Sequence, residues 1–201
     1  MRGHRSHIEY TAVATGVQAH SSTGQGVNAN WALIPFLAEI KIIAERLRSD
    51  PALQDPGYDP PFSDFNLIVD NHGTALNVTV AKATARIKFR RSRNVDTSAI
   101  EAAVHAAAER AGVALTEKLE GTPPELPLDH PLIRRAVAET GQPARTAPYG
   151  TDASELQAVA PCVILGPGTM TTAHTPRECV AMSDLTDAVP LFRRMLSAAQ
   201  T

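Results

Sequence analysis

Two of the seven histidines occupy positions typical of functional groups. His20 and His174 each lie in a polar loop that follows a predicted strand, among small residues. Loops held in place by a rigid scaffold carry a large share of binding and catalytic residues. No histidine pair has the HxxxH or HExxH spacing, and no Cys/His cluster has structural-zinc spacing. The pattern alone therefore leaves a functional role and a plain packing role open for each ring.

Two glycine turns mark further candidate positions. Gly150 and Thr151 stand between a predicted strand and a predicted helix, and Gly166-Pro167-Gly168 follows another predicted strand. Ligands of open α/β sheets bind at the carboxyl ends of strands. Simple helix capping explains the same letters, so capping and binding both stay open here. His4 and His7, near the start of the sequence, are instead expected to be solvated.

Composition narrows the class of protein. The 201 residues are 43% hydrophobic and 20% charged, which is typical of a soluble globular protein. Nineteen basic and 21 acidic side chains give a net charge of −2, so nothing favours a nucleic-acid or membrane partner. No apolar run approaches the ~20 residues that span a bilayer. Cys162 and Cys179 form no disulfide framework, which predicts a cytoplasmic protein.

The elements of the first half alternate in a recognisable order. Residues 76–90 alternate cleanly over their second half, so one face of that strand is buried and the other is solvated or interfacial. The buried side carries alanines, Ile87 and Phe89, whereas Lys88 and Arg90 belong to the other side. The predicted elements are strand 8–17, helix 28–48, strand 65–69, strand 76–90, helix 97–111 and strand 113–119. This β-α-β-β-α-β order predicts a ferredoxin-like arrangement.

The second half begins after a proline-rich linker around residues 123–127. Its predicted elements are helix 131–139, strand 145–147, helix 152–158, strand 162–165 and helix 183–198. This alternation is typical of an α/β unit, but two short strands are too few for a free-standing sheet of ordinary size. We therefore expect an α+β protein: a ferredoxin-like domain at 8–119, followed by part of an α/β domain at 120–201.

Four motifs in unbroken order carry a family resemblance. They are G-x-x-A-H-S-S at 16–22, H-G-T-A-x-N-V at 72–78, Y-G-T-D-A at 149–153 and L-G-P-G-x-x-x-x-A-H-x-P-x-E at 165–178. The chain resembles the carboxyl-terminal half of the zinc-dependent amidohydrolase and exopeptidase family. That family includes acetylornithine deacetylases, desuccinylases, carboxypeptidase G and aminoacylases, and the acetylornithine deacetylase branch is the most similar.

The resemblance implies roles for residues of the first half. Family members carry a ferredoxin-like lid that forms a homodimer, which here implies self-association through residues 8–115. His20 matches the lid histidine that reaches into the partner subunit's active site and stabilises an oxyanion. Asn77 matches an asparagine that contacts substrate across the dimer. Arg90 matches the arginine that binds the substrate carboxylate.

The resemblance also implies roles in the second half. Gly150 and Thr151 match a substrate-lining loop, and His174 matches a ligand of one of two zinc ions. The other zinc ligands and the general base of the family belong to an amino-terminal segment, for which nothing before Ile8 can substitute. Since a catalytic zinc usually takes three protein ligands, we expect this chain to bind zinc weakly and to be inactive alone.

Three readings of function follow. The first is a fragment of a metal-dependent amide hydrolase that acts on small N-acyl amino acids, completed by a missing amino-terminal segment or a partner chain. The second is a non-catalytic module for dimerisation or binding. The third is a degenerate product without activity. Metal ligands encoded upstream would distinguish the first reading from the second.

Overall fold

Helices and strands follow one another in a mixed order along the chain. The structure, a computed structural model, describes residues 1–197, so Ala198 at the end of the last predicted helix lies outside the described residues. The strands are β1 (Gly3–His4), β2 (Ser6–Thr15), β3 (Phe65–Asp70), β4 (Lys82–Arg91), β5 (Ala114–Glu120) and β6 (Thr146–Ala147). The helices are α1 (Asn30–Ser49), α2 (Ser98–Ala111), α3 (Pro131–Thr140), α4 (Ala153–Leu156) and α5 (Met182–Ser197).

Four strands form one sheet in the order β3-β4-β2-β5. Every neighbouring pair is antiparallel, and β2 pairs with β4 along its whole length, from Ser6↔Arg91 to Thr15↔Lys82. The strands β2 and β3 thus run in the same direction with β4 between them, which is the split βαβ arrangement of ferredoxin-like folds. The predicted α+β class and the βαββαβ order are confirmed.

The core lies between this sheet and one layer of two helices. Alternate residues of the central strands are buried, as the sequence pattern predicted for β4. Many of them are alanines, and Phe36 and Phe89 are among the largest fully buried side chains. The buried helix residues include Leu33, Ile40 and Leu47 of α1 and Ile100, Val104 and Ala107 of α2.

The strand β4 begins later than predicted. Residues 76–81 form a loop instead of extending the strand to 76, because their backbone groups bond to the loop after β2. Thr79 N–H donates to the Ala19 carbonyl at 2.9 Å, and Gly16 N–H donates to the Ala81 carbonyl at 2.8 Å. Two loops are thereby joined at one end of the sheet.

Residues 3–6 are buried and His7 is largely buried, which makes the expectation for His4 and His7 wrong. β1 pairs in parallel with β6, and its other side meets residues 124–126. His4 N–H, for example, donates to the Pro124 carbonyl at 3.0 Å. His4 is fully buried, and the His7 side chain is only 12% exposed. Both neighbouring segments are more than a hundred residues away in sequence, so no local pattern signals this burial.

A predicted strand of the second half is also wrong. Residues 162–165 form no strand, because within residues 1–197 the backbone hydrogen bonds of this segment to other parts of the chain are the two between Ile164 and Met1, too few for a ladder. The division into domains at residue 119 stays a prediction, although residues 1–5 pack with the second half. Over residues 1–197, no helix has the length and apolarity needed to cross a bilayer.

Candidate functional site

His20 and Asn77 lie together at one end of the sheet. His20 belongs to the loop that follows β2, and Asn77 belongs to the loop that precedes β4. Ser21 N–H donates to the Asn77 carbonyl at 3.0 Å and links the two loops. His20 also forms an isolated antiparallel bridge with Val78. Both side chains are exposed, and Leu76 beside them is completely exposed. These loops therefore present His20 and Asn77 to solvent or to another molecule.

The hydrogen bonds of His20 assign its neutral tautomer. Nδ1 accepts from the Ser22 backbone N–H at 3.3 Å and lies 2.8 Å from the Ser22 hydroxyl. Since Nδ1 is the acceptor, the ring proton of the neutral form is on Nε2. An exposed Nε2–H is a donor available to an oxygen that gains negative charge, the chemistry expected of His20.

Arg90 lies at the opposite end of the same strands. Register places Arg90, His7 and Glu120 side by side on β4, β2 and β5, on the face of the sheet away from the helices. His7 Nδ1 is in contact with Glu120 Oε2, and His7 Nε2 lies 3.3 Å from Glu9 Oε1. Glu120 is thus in contact with His7, although within the described residues neither His7 Nδ1 nor Glu120 Oε2 has a hydrogen-bond partner.

The guanidinium of Arg90 faces the Gly150 turn with an unused donor. Its Nη1 is buried and has no hydrogen-bond partner within the described part of the chain. A Cβ placed on Gly150 would lie 3.4 Å from Arg90 Nη1 and 3.6 Å from Glu120 Oε2. A buried N–H without a partner is unfavourable, so this position favours an added acceptor such as a carboxylate.

Thr151 is held by a residue that the resemblance does not assign. Its backbone N–H donates to His4 Nε2 at 3.3 Å, and His4 Nδ1 lies 2.8 Å from the Arg5 carbonyl. The structure therefore gathers Arg90, Gly150 and Thr151 at one place and adds His4 beside them. Together with His7 and Glu120 we call these residues the Arg90 cluster.

Burial governs the ionisation of the two histidines in the Arg90 cluster. Loss of solvation lowers the pKa of His4, and the positive charge of Arg90 acts in the same direction. Desolvation also lowers the pKa of His7, against the opposing influence of Glu120. The neutral form of both rings is therefore favoured in the folded protein.

His174 lies in an exposed turn. Its backbone N–H donates to Glu178 Oε2 at 2.8 Å. Its φ of 59° is in the left-handed region, which few residues other than glycine adopt. Backbone strain of this kind occurs often at functional sites, so it is consistent with a functional role for His174 but does not identify that role.

The residues present do not make a zinc site. Across residues 1–197, no three or more His, Cys, Asp or Glu side chains are grouped so that they could hold a metal ion. A catalytic zinc usually takes three protein ligands, and His174 alone supplies one. A metal of the kind the resemblance implies therefore needs ligands beyond those of this segment.

The two groups of candidate residues, at opposite ends of the sheet, are far apart in one copy of the chain. Lys82, at the loop end, and Arg90 are eight residues apart on β4. At a rise of about 3.3 Å per residue, this separates the ends by roughly 25 Å. His20 and Asn77 thus cannot contact a small ligand that is bound at Arg90 of the same copy.

Sequence reasoning missed His4, His7 and Glu120 of the Arg90 cluster. The alternation in β2 and β4 could have shown that His7 and Arg90 each point away from the buried face of the sheet. It could not have shown that they are neighbours, because pairing register is a tertiary property. The burial of His4 depends on contacts with residues 124 and 147 and has no local signal.

Curated relatives of similar sequence are acetylornithine deacetylases. One from Proteus mirabilis (strain HI4320) is 27% identical over 191 residues, covering 91% of this chain and 49% of the relative. Another from Vibrio vulnificus (strain CMCP6) is 25% identical over 206 residues, covering 98% of this chain and 53% of the relative. The chain thus spans about half the length of the curated relatives it matches.

Solved structures agree on the fold. A tripeptidase from Staphylococcus aureus superimposes with a TM-score of 0.63 at 19% identity, over 97% of this chain and 52% of that one. The aminopeptidase PepT from Bacillus cereus gives a TM-score of 0.62 at 16% identity, over the same shares. The sequence profile of the peptidase dimerisation domain matches residues 2–116, more than half of the chain. The chain therefore belongs to the peptidase dimerisation domain family.

Proposed function

We propose that this chain is the dimerising and substrate-positioning half of an amide hydrolase that acts on N-acyl amino acids, as its acetylornithine deacetylase relatives do by name. The observation that carries the proposal is the separation of two groups of residues. His20 and Asn77 lie at one end of the sheet, and the Arg90 cluster lies at the other. A second copy of the chain offers a way to bring both to one substrate.

A two-fold dimer could bring His20 of one copy close to Arg90 of the other. In such a dimer the same surface of each copy contacts the other, and every residue that crosses the interface does so twice. The loops that carry His20, Asn77 and the fully exposed Leu76 are accessible to contact with another molecule. Two equivalent sites would form, each with Arg90 from one copy and His20 from its partner.

The surface we assign to the dimer combines an edge strand and a helix face. β3 is at an edge of the sheet, where its outer backbone groups can pair with another strand. Leu67, Ile68 and Val69 are 40 to 54% exposed. On α1, Trp31, Ile34 and Ile42 form an exposed apolar stripe at helical spacing.

The other edge of the sheet is less suited to pairing. β5 carries charged side chains at Glu117, Lys118 and Glu120, and charges on an edge strand oppose association with a second strand. α1 packs on β4, which is the neighbour of β3, whereas α2 packs on β5. The helix with the exposed apolar stripe is therefore the one nearer the β3 edge. The β3 side is thus the better candidate for the interface, which should bury at least ~1,000 Å² in total.

The chain's own residues would act on the substrate in two ways. The forked donors of Arg90 suit a carboxylate, and its unused Nη1–H provides one of the two hydrogen bonds. His20 of the other copy would donate Nε2–H to the amide oxygen as that oxygen becomes negative. Asn77 would contact the substrate beside it.

Hydrolysis itself needs groups beyond this segment. The described residues offer no cluster of metal ligands, so the chain alone is expected to bind zinc weakly and to leave N-acyl amino acids intact. The same observation favours a second candidate function, a non-catalytic module that dimerises or binds a ligand. The two candidates differ in whether residues at opposite ends of the sheet cooperate in turnover.

Complementation between subunits tests the proposal. In a catalytically complete version, His20→Ala and Arg90→Ala dimers should each lose most activity. Mixed and re-associated, they should regain about a quarter of wild-type turnover, because half of the dimers are hybrids with one intact site of two. If both residues act within one copy, no activity returns, and the proposal is wrong.

The control for this experiment is the oligomeric state. Analytical ultracentrifugation of the chain at micromolar concentration should show a dimer. Ile68→Asp on β3 should dissociate it, whereas Leu119→Asp on β5, equally exposed at 57% against 54%, should not. A single 21.4 kDa species for the wild-type chain would contradict self-association.

A further inference from the structure

His4 is a fully buried histidine that the family resemblance does not assign. It contacts the segment 146–151 twice. Its backbone position pairs with Ala147 in the β1–β6 ladder, and its ring meets the Thr151 backbone N–H. Residues 148–150, which include Gly150 of the Arg90 cluster, thus lie between two residues that contact His4, namely Ala147 and Thr151.

The ring hydrogen bonds of His4 require one particular protonation state. Nδ1 lies 2.8 Å from the Arg5 carbonyl, which can only accept, so Nδ1 carries a proton. Nε2 lies 3.3 Å from the Thr151 N–H, which can only donate, so Nε2 carries none. The neutral Nδ1–H tautomer alone satisfies both contacts.

We propose that His4 is a positioning residue whose neutral ring fixes the Gly150–Thr151 turn beside Arg90, and whose protonation releases that turn. This rests on the proposed function only in treating the turn as substrate-lining. Protonation would place an N–H on Nε2 directly opposite the half-buried Thr151 N–H, so that two donors would face each other. The turn would then move to relieve that contact.

The charges around His4 are consistent with this assignment. The charged groups that influence the ring are the carboxylate of Glu120, which stabilises the imidazolium, and the guanidinium of Arg90, which destabilises it. Glu120 is in contact with His7, and His4 is without solvent contact. Desolvation therefore dominates and lowers the pKa of His4 from its ordinary value of about 6.5. The turn is held at neutral pH and released in acid.

Nuclear magnetic resonance of the chain itself tests the proposal. The probes are the ring nitrogen shifts of His4 and the hydrogen-exchange protection of the Thr151 amide, corrected for intrinsic exchange. As the pH falls below about 6.5, the ordinary pKa of histidine, the ring should change from the Nδ1–H tautomer to imidazolium. Thr151 protection should fall about tenfold in the same range, as expected for loss of one buried hydrogen bond. Amides of the β2–β4 ladder should keep their protection.

Two variants separate positioning from general folding. In His4→Gln the side-chain oxygen can replace Nε2 as the acceptor, so Thr151 should stay protected and lose its pH dependence. In His4→Leu the Thr151 protection should fall about tenfold at every pH, with the β2–β4 ladder intact. A protonated His4 ring with Thr151 protection unchanged would overturn the proposal, as would an Nε2–H tautomer at neutral pH. These readouts need no substrate, metal or dimer, so failure of the proposed function leaves them unaffected.

Discussion

The two ends of the β2–β4 strand pair differ in how their side chains are held. At the loop end, His20 and Asn77 are exposed, and among the described residues the ring of His20 forms hydrogen bonds only to Ser22 of its own loop. At the other end, His4 is buried by contacts with residues more than a hundred positions away. The loop end is thus encoded locally and free to reach another molecule, whereas the Arg90 end is assembled by the second half of the chain.

This difference predicts opposite sensitivities for the two ends. An exposed side chain with local hydrogen bonds has little packing to lose, so its removal changes stability by less than ~1 kcal/mol. A buried polar group that loses its partner costs about 1–3 kcal/mol. We therefore expect changes at the loop end to affect turnover alone, and changes at the Arg90 end to affect ligand binding and folding together.

The largest expected effect is at His20. In a catalytically complete version, His20→Ala should lower kcat about 10²- to 10³-fold, the usual loss when one donor to a developing oxyanion is removed. The free energy of unfolding should change by less than ~1 kcal/mol. Turnover and urea denaturation of the same preparation measure both quantities.

Gln18→Ala is the matched control for His20, because Gln18 is exposed in the same loop. It should leave both kcat and stability unchanged. A His20→Ala protein with a large drop in stability but normal turnover per folded molecule would show that His20 has a structural role. The distinction between the two ends of the sheet would then be wrong.

A smaller effect is expected at Arg90. In a catalytically complete version, Arg90→Ala should raise KM for an N-acyl amino acid about 10- to 100-fold, since a charge-assisted hydrogen bond contributes about 1.5–3 kcal/mol. The change in kcat should be smaller, because a carboxylate remote from the reacting amide is bound equally before and during the reaction. Steady-state kinetics with and without the substrate carboxylate provide the measurement.

Arg86→Ala is the control for Arg90. Arg86 lies on the same strand and face, four residues nearer the loop end, and is exposed. It should leave KM unchanged at physiological ionic strength. Equal effects of the two substitutions would mean that general positive charge, rather than the Arg90 cluster, attracts the carboxylate.

The smallest effect is the pH dependence of stability. Because burial lowers the pKa values of His4 and His7, the unfolded chain binds more protons than the folded chain below about pH 6.5. Stability should therefore be fully present above about pH 6.5 and decline in acid, by at most about 1.4 kcal/mol per pH unit for each histidine. Urea denaturation at several pH values measures this slope.

The double variant His4→Gln, His7→Gln sharpens the comparison between the ends. Its stability should vary less with pH across the same range, because two titrating groups of the Arg90 end are gone. If the slope of unfolding free energy against pH is unchanged, other groups cause the acid sensitivity. The two ends of the sheet would then not differ in this property.

Much of the first half could be predicted from the sequence. Strict alternation from residue 81 to 90 determined which face of β4 is buried, and the order of elements determined the ferredoxin-like arrangement. Gly112 ends α2, with φ at 66° and its N–H bonded to the last turn of the helix. These features depend on residues close together in the chain, so local patterns reveal them.

Errors occurred where distant segments compete for the backbone. Residues 76–81 left the predicted strand because their backbone groups bond to the loop after β2, and residues 162–165 lack the ladder that a strand needs. His4 was expected at the surface, yet it lies between residues 124 and 147. A hydrogen-bond partner that is a hundred residues away leaves no trace in the local pattern.

The sequence by itself determined the candidate residues His20, Asn77, Arg90, Gly150, Thr151 and His174, through the order of their motifs. Only the tertiary structure decided how they are grouped. Antiparallel register places His20 and Asn77 at one end of the sheet and Arg90 about eight residues along β4 at the other, while packing of the second half brings Gly150, Thr151 and His4 to Arg90. Distance between residues is a property of pairing and packing, which the types of the residues do not contain.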